Sequence, residues 1–267
     1  MGIELVVTDL DGTLWDRSIR PHPATVVAWA EIERRGVTVL AATGRRVGST
    51  RSALADAGLA PPAVCLNGAL GLDLADGQRF HRATIAPHHA TAILAAFADC
   101  GLSPCVYVDH DEFAVFVSDR PSTHAAHLAS FGADVAVADL ADVCATDAVL
   151  AFSLLGSDEH LLATVARAVT DAGIPHLDVD PIYGGTSLTV AGPEMSKWHG
   201  VLAFCAARDL DPSGVLAIGD GPNDLELLTG AAVAVAPEGA HPSALAAADH
   251  VVASPAAGGW AAIVDLL

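Results

Sequence analysis

Asp9-Leu10-Asp11-Gly12-Thr13 sets two carboxylates two positions apart, directly after an apolar run, Ile3 to Thr8, that reads as a buried strand. At the carboxyl end of a strand in an open α/β sheet, such side chains stand at the ligand crevice. Two like charges so close repel unless a cation lies between them, and an oxygen-only ligand set suits magnesium. Gly12 permits a sharp turn and a close approach of backbone amides to an anion, while Thr13 can begin the turn that follows. An ordinary Asp/Gly turn is the plainer alternative. Gly219-Asp220-Gly221-Pro222-Asn223-Asp224 repeats the arrangement after a second apolar run, Val215 to Ile218. Pro222 suits the first turn of a helix, and Asp220 and Asp224, four apart, fall near one face of its start, where they can complete or support a metal shell. The plainer alternative there is an N-capping aspartate.

Two shorter signals accompany these. Thr43-Gly44-Arg45 follows a third apolar run, so a hydroxyl and free amides at a helix start can hold a phosphate oxygen. Arg45 can meet a second anionic group or make an external ion pair. Lys197 is the only lysine, against twelve arginines. A chain that otherwise uses Arg for its side-chain cations has kept one compact ammonium, as a point-charge contact to a phosphoryl group requires.

The elements that must position these residues follow from periodicity. Ile3–Thr8 reads as strand, Ala24–Arg35 as helix and Val37–Ala42 as strand, an order that suggests a parallel crossover. Helix Val47–Ala57 and strand Ala63–Leu66 follow. The far end repeats the style with helix Trp198–Ala207, strand Val215–Ile218, helix Asp224–Leu228, strand Ala232–Ala236, helix Ser243–Ala248 and strand His250–Val252. Both ends belong to one doubly wound, mainly parallel, Rossmann-like α/β core covering 1–83 and 191–267. From 84 to 190 the pattern shifts to alternation (Val106–Val108, Phe113–Val117) with helices near Pro87–Asp99, Pro121–Phe131 and Asp158–Ala172, which reads as an inserted α+β domain. Asp109 to Glu112 reads as a hairpin turn within it.

Of the 267 residues, 52% are apolar and 17% charged, enough for two packed lobes and unlike a disordered chain. A net charge of -19 repels nucleic acid and anionic membrane surfaces. Five cysteines without a CxxC spacing read as buried thiols in a reducing compartment. No secretory-type leader or membrane-spanning run is apparent, so the expected location is cytoplasmic.

Taken together, the four stretches resemble the haloacid dehalogenase-like phosphatases, and their order and spacing are similar to the Cof-type branch, with a large cap between the second and third motifs. The resemblance implies that Asp9 is the nucleophile and that Asp11 protonates the leaving group and then activates water. It implies that Thr43 and Lys197 hold the phosphoryl group, and that Asp9, the backbone oxygen of Asp11, and Asp220 bind Mg²⁺, with Asp224 behind them and Asn223 near the phosphate. Asn67-Gly68-Ala69 matches a strand end that lines such sites. Leu227 stands where the family usually has Met, and Trp198 where Gly is common. The expected activity is magnesium-dependent hydrolysis of small phosphorylated metabolites such as sugar phosphates, by a monomer or homodimer. A phosphomutase and a catalytically inactive ligand-binding module are the alternatives. Dehalogenation is disfavoured, because carbon–halogen displacement needs neither a second carboxylate nor magnesium.

Overall fold

The computed structural model describes residues 2–110, 114–180 and 182–267. Asp111 and Glu112 of the expected hairpin turn, and Phe113, lie outside them. The chain divides into two compact units, Met1–Arg82 with Ser196–Leu267, and Ala83–Met195.

The first unit opens with β1 (Leu5–Thr8), α1 (Pro23–Arg34), β2 (Thr38–Ala42), α2 (Val47–Ala55), β3 (Pro62–Cys65), β4 (Leu70–Asp73) and β5 (Arg79–Arg82). The second unit follows with α3 (Pro87–Asp99), β6 (Cys105–Val108), β7 (Val115–Val117), α4 (Ala125–Ala129), β8 (Val135–Val137), α5 (Leu140–Thr146), β9 (Val149–Ser157), α6 (Glu159–Ala168), β10 (Ile174–Val179) and β11 (Thr186–Ala191). The chain then returns to the first unit with α7 (Lys197–Arg208), β12 (Val215–Ile218), α8 (Leu225–Gly230), β13 (Val233–Pro237), α9 (Pro242–Ala247) and β14 (His250–Val252).

In the first unit the strand order is β14-β13-β12-β1-β2-β3-β4-β5. The strands from β14 to β3 are parallel, and β4 and β5 add an antiparallel edge. β1 and β12 are buried along their whole length, which is why they read as unbroken apolar runs and not as alternation. Sequence periodicity overlooked β4 and β5, and the reason is local. β4 reads Leu-Gly-Leu-Asp, without a β-branched residue, and Gly71 has no room for a side chain: a Cβ there would lie 2.3 Å from the Phe80 ring.

The second unit is a six-stranded sheet, β10-β11-β9-β6-β7-β8, antiparallel except between β7 and β8. Ile93 and Phe97 of α3, Val143 of α5, and Leu162 and Val165 of α6 build its apolar core with Val106, Phe152, Leu188 and Val190 from the sheet. Its second junction falls at Ser196, past the end of β11, where Ala191 is still paired with Ala151 and Ile174. The helix expected over Pro121–Phe131 shrinks to α4, since His124 is its N-cap and accepts the Ala126 amide. The stretch expected as helix Asp224–Leu228 begins with a 3₁₀ turn, Pro222–Asp224, before α8. All five cysteines are free; four are buried and Cys100 is half-buried. Among the described residues no helix is long and apolar enough to cross a membrane.

Candidate active site

From β1 the chain winds outward through β2 and β3 on one side of the sheet, and later from β12 through β13 to β14 on the other. The order therefore reverses beside β1, and the carboxyl ends of β1, β2 and β12 face one crevice. Hydrogen bonding carries the ladder one residue past each strand: the Asp9 amide donates to the Ile218 carbonyl at 2.9 Å, and the Thr43 amide to Val64 at 2.8 Å. The Thr8 side chain is tied down in turn, accepting from Trp260 Nε1 at 2.9 Å. Asp9 and Thr43 thus leave rigid strand ends and not loose loops.

Lys197 is the first residue of α7, behind the N-cap Ser196. Its Nζ lies 2.6 Å from Asp9 Oδ1 and 2.7 Å from Asp224 Oδ1, and its side chain is 1% exposed. Burial alone would drive the ammonium towards its neutral form, but Asp224 and Asp9 reverse this and raise its pKa. Trp198, standing where a glycine was expected, leaves the helix start intact and packs over Gly230, where a Cβ would lie 2.3 Å from its ring.

Three carboxylates face this one ammonium. Asp9, Asp220 and Asp224 each offer an oxygen, and all three oxygens lie within 4.8 Å of one another. Burial pushes the Asp9 carboxyl well above the usual carboxylate range; Lys197 opposes this, while Asp224, Asp220 and Asp11 add to it. Asp220 is raised by burial and by Asp224, against the Thr13 hydroxyl, which donates to its Oδ1 at 2.8 Å. Surplus negative charge on hard oxygens is the donor chemistry that a magnesium-like cation satisfies. The backbone is shaped around the carboxylates as well. A Cβ on Gly12, whose φ is +84°, would lie 2.3 Å from Asp220 Oδ2, and one on Gly219 would lie 2.5 Å from Asp224 Cγ. Asp224 has little left for a cation: Oδ1 serves Lys197, and Oδ2 accepts the amides of Asp220 and Gly221 at 3.0 and 2.9 Å.

The Asp11 side chain is half-exposed and takes another course. Arg45 grips it with both prongs, Nε to Oδ2 at 2.5 Å and Nη2 to Oδ1 at 2.6 Å, and Trp15 Nε1 donates to Oδ1 at 3.0 Å. Partial burial would raise this carboxyl, but the Arg45 and Trp15 contacts win and hold it below the usual range. Thr43 Oγ1 accepts the Arg45 amide at 3.1 Å. Asn67 is buried in the left-handed region at φ 54°, with Gly44 close by, and its Oδ1 accepts from Asn223 Nδ2 at 3.0 Å. All ten residues singled out by sequence lie in the first unit, although 188 positions separate Asp9 from Lys197. Trp15, to which sequence reasoning gave no role at the site, is fully buried and also a hydrogen-bond donor to Asp11. It stands four residues after Asp11, but in a turn and not in a helix, so periodicity did not mark the contact.

The geometry and the sequence now converge on one class. A model of the haloacid dehalogenase-like hydrolases matches residues 6–264, and the chain belongs to that family. Among particular relatives, a Methanopyrus kandleri protein named phosphoglycolate phosphatase is 25% identical over 248 residues, covering 93% of this chain and 90% of its own. In fold, the chain is similar to a HAD subclass IIB sugar phosphatase, with a TM-score of 0.76 at 20% identity and 98% of each chain covered. It is also similar to a Thermotoga maritima protein, with a TM-score of 0.78 at 18% identity, covering 100% of this chain and 98% of that one. The architecture is therefore the family's α/β core with an additional cap domain of the Cof type.

Proposed function

We propose that the protein is a magnesium-dependent phosphatase of small phosphorylated metabolites, acting through an aspartyl-phosphate on Asp9. The observation that carries the reading is the buried Asp9 carboxylate, held at 2.6 Å by the lone lysine and flanked by Asp220 and Asp224. The relatives named as a sugar phosphatase and a phosphoglycolate phosphatase support the choice of phosphomonoesters.

In this reading an oxygen of Asp9 attacks phosphorus, and the ester P–O bond breaks as the P–O bond to Asp9 forms. Asp11 gives its proton to the departing alcohol oxygen. Water then attacks the phosphorus of the aspartyl-phosphate and passes a proton to Asp11, which restores Asp9 and releases inorganic phosphate. Serving as acid and then as base, such a group typically contributes ~10²- to 10⁴-fold in rate. Lys197, Thr43 Oγ1 and the Gly44 amide hold the phosphoryl oxygens, with Asn223, itself bonded to Asn67, beside them. Asp9, Asp220 and the backbone oxygen of Asp11 would hold Mg²⁺, and Asp224 orients Lys197 and the turn around Asp220. Bound there, the cation supplies positive charge against the oxygens of the transferring phosphoryl group. Cytoplasmic residence fits the free thiols, two of which, Cys65 and Cys105, burial pushes up to about 12, far from reactive thiolate.

The test is phosphate release across sugar phosphates, phosphoglycolate, nucleotides and pyridoxal phosphate, with magnesium or with a chelator, for the parent and Asp9→Asn. The parent is expected to need the cation, and Asp9→Asn to fall by at least ~10⁴-fold. Equal turnover by parent and variant would remove Asp9 from the reaction. Phosphate moved within the substrate, with none released, would make the enzyme a mutase.

A further inference from the structure

The grip on Asp11 raises a difficulty for any reaction in which that residue donates a proton. Both of its oxygens are engaged as acceptors, by Arg45 Nε and Nη2 and by Trp15 Nε1. A carboxylate so engaged has no oxygen free to turn towards a leaving group. Arg45 itself is braced, with its guanidinium carbon 5.6 Å from the centroid of the Trp15 ring, and Trp15 is fully buried. The fork therefore rests on a rigid wall. Its amide end is fixed as well, since the Arg45 N–H donates to Thr43 Oγ1 at 3.1 Å. What can move is Asp11: its side chain is 50% exposed, whereas that of Arg45 is 17% exposed.

A planar guanidinium that presents two parallel N–H donors recognises carboxylates and phosphates in the same bidentate way. The Arg45 fork already holds a carboxylate, so an anionic group on a substrate can replace that carboxylate like for like. A substrate with no charge beyond its reacting phosphoryl group offers nothing to make the exchange.

We infer that Arg45, backed by Trp15, is a specificity and positioning residue that exchanges the Asp11 carboxylate for a second anionic group on the substrate, so that the enzyme selects phosphomonoesters carrying a carboxylate or a further phosphate. The exchange ties recognition to chemistry: only when the second anion occupies the fork is Asp11 released to serve the leaving oxygen. The inference rests on the proposed role of Asp11 as acid and base, and it deepens that reading by naming the substrate class.

A matched pair of esters tests it. 2-Phosphoglycolate and 2-hydroxyethyl phosphate differ in the group that meets Arg45 and share the reacting ester. Steady-state kcat and KM are measured on the magnesium-loaded protein for the parent, Arg45→Met and Arg45→Lys, with glucose 1,6-bisphosphate against glucose 6-phosphate as the second-phosphate arm. The parent is expected to favour the doubly anionic member of at least one pair by about 10-fold or more in kcat/KM, a floor well below the ~10⁴- to 10⁵-fold by which a site built for a polar group rejects an analogue lacking it. Arg45→Met is expected to bring that ratio close to one, and Arg45→Lys, which keeps the charge but loses the fork, to fall between. p-Nitrophenyl phosphate, whose leaving group needs little protonation, separates positioning from general damage: Arg45→Met, which no longer grips Asp11, is expected to raise kcat for 2-hydroxyethyl phosphate relative to that for p-nitrophenyl phosphate. Melting temperatures of the variants within a few degrees of the parent confirm that the ratios are those of folded protein, and Arg45→Gln replaces Arg45→Met should the latter fail to fold.

A parent ratio near one in both pairs, or a preference that survives Arg45→Met, overturns the inference while Asp9→Asn still abolishes hydrolysis and the phosphatase reading stands. Should Asp9→Asn turn over like the parent, the underlying reading has failed, and this one with it.

Discussion

The two units bury polar side chains to opposite ends. In the first, Asp9, Lys197 and Asp224 are buried charges that contact one another, and with Asp220 they leave three carboxylates to one ammonium. In the second, a set of buried polar side chains pairs off locally. Ser153 Oγ donates to Tyr107 Oη at 3.0 Å, Thr123 Oγ1 and His127 Nδ1 are 2.8 Å apart, and His127 Nε2 lies 3.5 Å from the same tyrosine oxygen. Asp180 spends its carboxylate on the turn between β10 and β11, accepting the amides of Ile182 and Tyr183 at 2.9 and 2.8 Å and bonding the Ser187 hydroxyl. Polar groups that pair off locally fix a fold, whereas a cluster with surplus charge is unfinished until something positive arrives.

The largest effect expected from breaking this contrast is at Lys197. Lys197→Met leaves two buried carboxylates without their ammonium, and removing one partner of a buried ion pair costs about 3–5 kcal/mol. Urea unfolding at pH 8 measures the loss, and phosphate release should vanish with it. The sign with pH is fixed by Asp9. Its carboxyl is already raised by burial, and without Lys197 it rises further. A carboxyl raised in the folded state destabilises at high pH and is relieved as protons bind, so the deficit should shrink between pH 8 and pH 5. A deficit independent of pH would mean that the surplus charge is not what the lysine offsets.

Gly12→Ala is next, and Gly36→Ala is its partner. Both glycines have positive φ, +84° and +79°, but a Cβ at residue 12 would meet Asp220 Oδ2 at 2.3 Å while one at residue 36 would meet nothing within 4 Å. Gly36→Ala should cost ~1 kcal/mol of backbone strain with activity kept. Gly12→Ala should cost about 1–3 kcal/mol more, the range for overpacking a filled site, and should weaken magnesium affinity, raising the concentration needed for half-maximal rate. Equal behaviour of the pair would show that the contact with Asp220 does not matter.

How much of this was legible beforehand divides along the same line. Strands buried on both faces announce themselves as apolar runs, so β1, β2 and β12 and the residues that follow them, Asp9, Thr43 and Asp220, were readable from pattern alone. Lys197 was readable from scarcity, as the single lysine among thirteen Lys and Arg residues. The engagement of Asp11 by Arg45 and Trp15 was not, because no local pattern reports that a side chain 34 positions away will arrive with its fork aligned. β4 and β5 escaped because a glycine beneath Phe80 and a polar edge break the periodicity on which the reading depends. The satisfied network of the second unit left no trace for a related reason: Tyr107, Thr123, His127 and Ser153 come from separate elements, and each is an unremarkable residue where it stands.

That network also offers the mildest test. Tyr107→Phe keeps the ring, which packs edge-on against Phe131 at 6.2 Å between centroids, and removes the oxygen that accepts from Ser153 and lies 3.5 Å from His127 Nε2. The expected cost is about 1 kcal/mol, the scale of a single neutral hydrogen bond, read as a lower urea midpoint at an unchanged slope. Hydrolysis of p-nitrophenyl phosphate should stay within about two-fold of the parent, as expected for a substitution whose effect is on the fold. Serine hydroxyls rotate, so Ser153 can turn to another acceptor and soften even this loss. An unchanged urea midpoint with a sharp fall in turnover would reverse the assignment: the network would then belong to the chemistry, and the division between a unit that reacts and a unit that only folds would have to be abandoned.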